Sequence, residues 1–251
     1  MFPFAPSSQW AHWPSTRRAW LALMGASACA PKLGSAQALT WPPSMALDYR
    51  IDGLRRGMAI SASASLRWQH NADAYEARLS SVAMIIFKRE QISRGHLSAQ
   101  GLTPRAFEDH RRRIQRAEFD PDAGVARYSN GTQMDWPIGG QDRVSMLLHL
   151  GAWVRQARPG AELELPVSDG NDWQTWAFTL RARETVDTPS GPWPSWHIQR
   201  SDADRRGQHT DLWLATGLGG LPVRLLIVEA NGDRIDQRLS QHQPLPALPR
   251  T

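Results

Sequence analysis

From residue 58 to residue 68 the chain alternates without a break. Met58, Ile60, Ala62, Ala64, Leu66 and Trp68 are apolar, with Ala59, Ser61, Ser63, Ser65 and Arg67 between them. Successive side chains of a strand point to opposite faces, so this period of two specifies a strand with one buried face. Asn71, Ala72 and Asp73 read as a turn, and alternation resumes at Tyr75. The two runs form a long antiparallel hairpin. Its second arm ends in Val82, Ala83, Met84, Ile85, Ile86 and Phe87, apolar on both faces. Such an end must be covered on both sides, by a helix, a second sheet layer or a ligand.

More strands follow at short spacing. Residues 91–99 read as one, stopped by Gly101, Leu102, Thr103 and Pro104. Residues 111–119 and 125–129 flank a turn at Asp120, Pro121, Asp122, Ala123 and Gly124. Trp176, Phe178, Leu180 and Ala182 alternate with Ala177, Thr179, Arg181 and Arg183. Residues 196–200 and 210–215 read as two further strands. Residues 223–229 and 234–239 surround Asn231-Gly232, the strongest short hairpin signal. One segment, 142–155, is helical in pattern: Val144, Leu147, Leu148, Gly151 and Val154 recur at steps of three and four. Asp142 stands where it can cap the free N–H groups. The expected fold is mainly β: a single antiparallel, strongly curved, half-barrel-like sheet with one central amphipathic helix.

The start of the chain constrains its compartment. Arg17 and Arg18 precede an apolar run over 19–30, and Ala36, Gln37 and Ala38 form a small-x-small cleavage site. This is the order of an export signal, and it predicts a periplasmic protein of Gram-negative type. The domains expected are a signal peptide at 1–38, a single β-rich domain at 39–240 and a flexible Pro-rich tail at 241–251. The paired arginines also resemble a twin-arginine signal, and both export routes stay open. Lipidation at Cys29 is the lesser alternative, since Ala26 stands where a larger aliphatic is usual. The apolar run falls short of the about 20 residues a membrane span needs, so no transmembrane span is expected.

Cleavage at Ala38 removes Cys29, the only cysteine, and with it any disulfide, thiolate metal site or cysteine nucleophile. It also removes Arg17, Arg18 and Lys32, so 26 of the 29 basic residues remain against 24 acidic ones, a net charge of +2. Near neutrality argues against a nucleic-acid partner.

Motifs for chemistry are lacking. His70, His96, His110, His149, His197, His209 and His242 have no metal-ligand spacing. Asp169, Gly170, Asn171 and Asp172 read as an acidic turn, lacking the ligand pattern of a calcium loop. Gly217, Leu218, Gly219 and Gly220 precede a strand and offer no helix N-terminus to a phosphate. There is no Gly-x-Ser-x-Gly elbow. Glu162 and Glu164 share a strand face, which by itself assigns no acid–base role. Arg111, Arg112, Arg113 and Arg116 sit among acids and read as a salt-bridged, solvated strand. No cofactor, metal or catalytic group is expected, and the chain reads as non-enzymatic.

The order of motifs resembles a known family. Ala46, Leu47, Asp48 and Tyr49 precede the long hairpin. Ser98 to Pro104, an arginine-rich stretch ending at Glu118, Phe119 and Asp120, and Gln141, Asp142, Arg143, Val144 and Ser145 follow. Leu212, Trp213, Leu214 and Ala215 then lead to Gly219, Gly220, Leu221, Pro222, Val223 and Arg224, and Asn231-Gly232-Asp233 to Gln237, Arg238 and Leu239. This resembles the exported bacterial family called domain of unknown function 3108. The resemblance implies an antiparallel β protein of the Gram-negative envelope and carries over no catalytic residue. A looser likeness, by strand number and central helix, is to half-barrel carriers of the lipoprotein-localisation type, a fold-level analogy.

Apolar side chains exceed what one sheet face demands. Residues 82–87, the helix face and Trp173, Trp176, Trp193, Trp196 and Trp213 make up the surplus. A curved sheet closed by a helix can hold a cavity for an acyl chain or other apolar envelope molecule. Trp68, Trp176, Phe178, Leu147 and Leu148 are the residues expected in its wall. The alternative is an envelope-assembly interaction protein with a filled core and no ligand, meeting a protein partner through strand edges.

Overall fold

A computed structural model describes residues 40–83, 87–201 and 207–249. The export signal and Cys29 lie outside the described residues, as do Met84, Ile85 and Ile86. Fifteen strands among the described residues form one sheet, in the order β8-β7-β6-β5-β4-β3-β2-β1-β15-β14-β13-β12-β11-β10-β9. The chain therefore winds outward in two meanders joined by the pairing of its first and last strands. β1 (Met45–Arg55) pairs on one side with β2 (Met58–His70) and on the other with β15 (Arg234–Pro244).

The first meander continues through β3 (Ala74–Ala83), β4 (Phe87–Leu97), β5 (Leu102–His110), β6 (Ile114–Asp120), β7 (Val125–Tyr128) and β8 (Gln133–Asp135). The second runs back from β15 through β14 (Pro222–Val228), β13 (His209–Ala215), β12 (Gly191–Arg200), β11 (Trp173–Thr188) and β10 (Glu162–Ser168) to β9 (Gln141–Asp142). β8 and β9 are the sheet's ends and do not pair with each other. Each end nevertheless meets the opposite meander through side chains. Trp173 Nε1 donates to the Asp135 carbonyl at 2.7 Å, and Gln141 Nε2 to that of Leu102 at 3.0 Å. Ser93 of β4 donates to Asp142 of β9 at 2.5 Å.

The sheet is not purely antiparallel, as the alternation alone implied. β9 and β10 pair in parallel, Gln141 opposite Val167 and Asp142 opposite Ser168. The cause is the connection between them: α1 (Ser145–Val154) is a crossover, and strands joined through a crossover helix run the same way.

The helix also differs from the expected amphipathic one. Ser145, Met146, Leu147, Leu148, Leu150, Gly151, Ala152 and Val154 are all buried, which is the state of a helix apolar all round. Met146, Leu147, Leu150 and Val154 pack on Phe178, Leu180, Ile198 and Leu212. Val144 and Leu148 face the other way, into a core built on Leu66, Trp68 and Phe107. α1 is thus enclosed between the two halves of the sheet.

Two strands lie elsewhere than the sequence pattern implies. The expected stop at Gly101 to Pro104 is the start of β5, and Arg111, Arg112 and Arg113 lie in the turn after it. A proline inside a sheet needs a break in the ladder, and the register shift between Arg94 and Gly95 supplies it. A Cβ on Gly95 would stand 2.8 Å from the Pro104 Cα, so glycine there admits the proline. At the C-terminus, β15 passes residue 240 to reach Pro244. Beyond it Leu245 donates to the Ser44 carbonyl, and Leu248 to that of His70.

Candidate functional site

Where α1 leaves the interior unfilled, the inward stripes of both meanders enclose a cavity of about 380 Å³. Its apolar wall comes from Ile51 of β1, Ala64 of β2, Leu79 of β3, Phe178 of β11, Leu212 of β13 and Leu225 of β14, with Met146 and Leu147 of α1 forming one side. Ile227 and Ile235 belong both to this wall and to a neighbouring groove of about 520 Å³, lined by Leu54, Ile60, Asn231 and Asp233. The cavity therefore leads out past the β1–β2 and β14–β15 turns. Leu54, Met58 and Ile235 stand exposed at that end. The alternating face of β2 grades accordingly: Leu66 and Trp68 are fully buried, Ala64 borders the cavity, Ile60 the groove and Met58 the solvent.

One wall of the cavity is charged. Arg89, Gln91, Arg143 and Arg200 line it. Asp109, fully buried behind them, receives Arg89 through both oxygens, Nε at 2.9 Å and Nη2 at 2.6 Å. Arg111 adds a second guanidinium to Oδ2 at 2.6 Å. Burial alone would raise the Asp109 pKa, but the hydrogen bonds and charges of the two arginines outweigh it and hold the carboxyl below its ordinary value. Arg143 reaches Asp169 only at 3.5 Å. Its Nε is buried and meets no hydrogen-bond partner among the described residues. Burial pulls the Arg143 pKa down; Asp169 opposes this, while Arg89 and Arg111 add repulsion. The Trp176 ring completes the corner, with the guanidinium carbon of Arg200 3.7 Å and that of Arg143 5.6 Å from its centroid.

The residue before Arg143 anchors the helix. Asp142 Oδ1 accepts the N–H groups of Val144 at 2.8 Å and Ser145 at 2.9 Å, and Ser145 Oγ accepts the Asp142 N–H at 2.9 Å. This reciprocal pair closes the turn that leads into α1; the N-cap residue is Val144, which makes no side-chain cap bond, so the expected cap at Asp142 lies two residues ahead of it. The second carboxylate oxygen takes the Ser93 hydroxyl, which lies 3.0 Å from the Tyr75 hydroxyl. Burial raises the Asp142 pKa against these hydrogen bonds.

Of the five residues expected in the wall, Leu147, Trp176 and Phe178 line the cavity. Leu148 and Trp68 lie in the other core, where Trp68 Nε1 donates to the Pro42 carbonyl at 3.0 Å. Among the other surplus tryptophans, Trp196 packs under the helix. Trp213 stacks on His197 across a 4.6 Å centroid distance, on the sheet face opposite Leu212 and Leu214. Sequence reasoning missed the arginine wall. The available signal was inward parity: Arg89 and Gln91 sit four and two residues before Ser93 on one strand face. No group of three His, Cys, Asp or Glu side chains able to hold a metal occurs among the described residues. No helix among them is long and apolar enough to cross a membrane.

A family model described as a protein of unknown function, DUF3108, matches residues 48–239. The crystal structure of a β-barrel-like protein of domain of unknown function DUF1849 from Brucella abortus is similar with a TM-score of 0.58 and 10% sequence identity, covering 83% of this chain and 100% of that chain. A Bacteroides fragilis protein with a YmcC-like fold gives a TM-score of 0.38 at 12% identity, covering 82% of this chain and 99% of that one. No curated protein matches the chain. The Brucella likeness is one of fold.

Proposed function

The chain belongs to the DUF3108 family of proteins of unknown function, and from that premise we propose that it is a non-enzymatic periplasmic protein holding a lipid or other apolar envelope molecule between its sheet and α1. The cavity carries this reading. Apolar side chains from both meanders and the helix surround a volume of about 380 Å³, within the range of ~300–1,000 Å³ usual for small-molecule sites. A route to solvent past exposed Leu54 and Ile235 supports loading and release. The periplasmic address rests on the export signal at 1–38. The non-enzymatic reading rests on the use of the buried acids: Asp109 is occupied by two arginines and Asp142 by the helix start.

Native mass spectrometry of protein purified from its own periplasm, followed by solvent extraction, tests the reading. The expected result is about one bound apolar molecule per chain. Ala64→Phe should then lose it while keeping the cooperative unfolding of the parent, because a phenyl group at that position enters the cavity. Full ligand content in Ala64→Phe places the ligand elsewhere. An unliganded mass, with no uptake of added fatty acid, overturns the reading in favour of an envelope interaction protein without a ligand.

A further inference from the structure

The charged corner of the cavity has more positive than negative groups. Arg89, Arg111 and Arg143 gather around Asp109 and Asp169, three guanidinium groups against two carboxylates. Arg89 and Arg111 satisfy Asp109 by short bonds, at 2.6 Å each. Arg143 is left with the longest contact of the set, 3.5 Å to Asp169, and with an unpartnered buried Nε. A buried N–H left without an acceptor is costly. Side-chain exposures of 35% for Arg89 and 34% for Arg143 leave both reachable from the cavity they line. From that corner the apolar wall runs through Trp176 and Leu147 to Phe178 and Leu212.

Charge at one end and an apolar lining along the rest match one class of molecule. We propose that the cavity takes a single-chain amphiphile with an acidic head, a carboxylate or a phosphate monoester, the head at Arg89 and Arg143 and the chain against Phe178, Leu147 and Leu212. This rests on the cavity reading above and adds the head-group chemistry to it. Arg89 is pre-oriented by its two bonds to Asp109, so it presents to the cavity without a conformational cost. Arginine suits the task because its planar fork meets carboxylate and phosphate oxygens in pairs. The volume, at the lower end for small-molecule sites, leaves room for one chain rather than two.

The test compares dodecanoate, dodecan-1-ol and inorganic phosphate as probes on the purified protein, by native mass spectrometry below the micellar range. Dodecanoate should bind at least about tenfold more tightly than the alcohol, the ratio one charge-assisted hydrogen bond supplies. Arg143→Gln should reduce this preference without abolishing it, since Arg89 remains in the wall, and Arg143→Lys should keep most of it. The unaltered protein offers a readout that needs no variant: 0.5 M salt should weaken the acid and leave the alcohol unchanged, as screening requires. Equal binding of acid and alcohol overturns the head-group proposal and leaves the cavity standing. So does phosphate competing as strongly as the acid, which marks a small-anion site. Binding of neither chain overturns the cavity reading and this proposal together.

Discussion

Gly151 of α1 and Gly220 of the loop before β14 touch backbone to backbone. A Cβ on Gly220 would stand 2.5 Å from the Gly151 carbonyl oxygen, and a Cβ on Gly151 would meet the Gly220 carbonyl as closely. The helix therefore rests directly on the main chain of the loop. Gly220 also has a φ of +91°, where a side chain is strained whatever the space. Gly151→Ala should push the helix off its seat and cost about 1–3 kcal/mol, the range for overpacking a filled interior. Urea unfolding with an unchanged m-value measures it; a midpoint equal to the parent's would show that the contact is not tight.

The turn between Asp142 and Ser145 makes a sharper distinction. Asp142→Ala removes the acceptor for the Val144 and Ser145 N–H groups and the partner of Ser93, and should cost about 1–3 kcal/mol, because buried donors lose their acceptor. Asp142→Asn keeps one acceptor oxygen for these two N–H groups, and its amide can donate to Ser93. Burial already disfavours the charged form of this carboxyl, so Asn should lose less than half of what Ala loses at pH 7. A loss as large as that of Ala would mean that the charge itself holds the helix.

Much of this architecture is legible in the residue pattern alone. The β2–β3 hairpin is visible because alternation survives wherever one face is buried and the other is wet. The β14–β15 hairpin is visible because Asn231-Gly232 has turn chemistry of its own. The helix segment is legible, its enclosure less so: the stripe of Val144, Leu147, Leu148, Gly151 and Val154 draws attention away from Met146, Leu150 and Ala152, which fill the other side. The start of β5 is hidden because the bulge that admits Pro104 depends on Gly95 of the neighbouring strand. The arginine wall shows only as an inward parity, for a like reason. Asp109 reads as a surface charge until Arg89, twenty residues away, is seen across the strand pair.

Tyr49 ties two of the motifs that carried the family resemblance. Its buried hydroxyl donates to the Pro222 carbonyl at 2.8 Å, joining β1 to the strand that follows the Gly219-Gly220 loop. Burial, with a smaller push from Asp48, raises its pKa far above the ordinary value, so it remains a donor at any working pH. Tyr49→Phe should cost about 1–3 kcal/mol, because a buried carbonyl loses its partner. Thermal unfolding checks this, and a change within error would mean that water replaces the hydroxyl.

His149 gives the fold an acid-sensitive point. Its Nδ1 is buried and meets no hydrogen-bond partner among the described residues. Burial lowers its pKa from 6.5 to about 4. In the unfolded chain the ring takes up a proton near pH 6.5, while the folded chain resists protonation until about pH 4. The unfolded state therefore binds more protons between these values, and stability falls as the pH drops through that window. Above pH 6.5 both states are neutral and the residue contributes no slope. The shift corresponds to roughly 2–3 kcal/mol over the window, at 1.36 kcal/mol per unit and allowing for the part of the ring that reaches solvent. His149→Gln keeps a polar group that does not titrate, so it should flatten the profile between pH 6.5 and 4 and leave stability at pH 8 within about 1 kcal/mol of the parent. Urea midpoints at pH 8, 6 and 4.5 for the two proteins test this. Parallel profiles would assign the acid sensitivity to other groups.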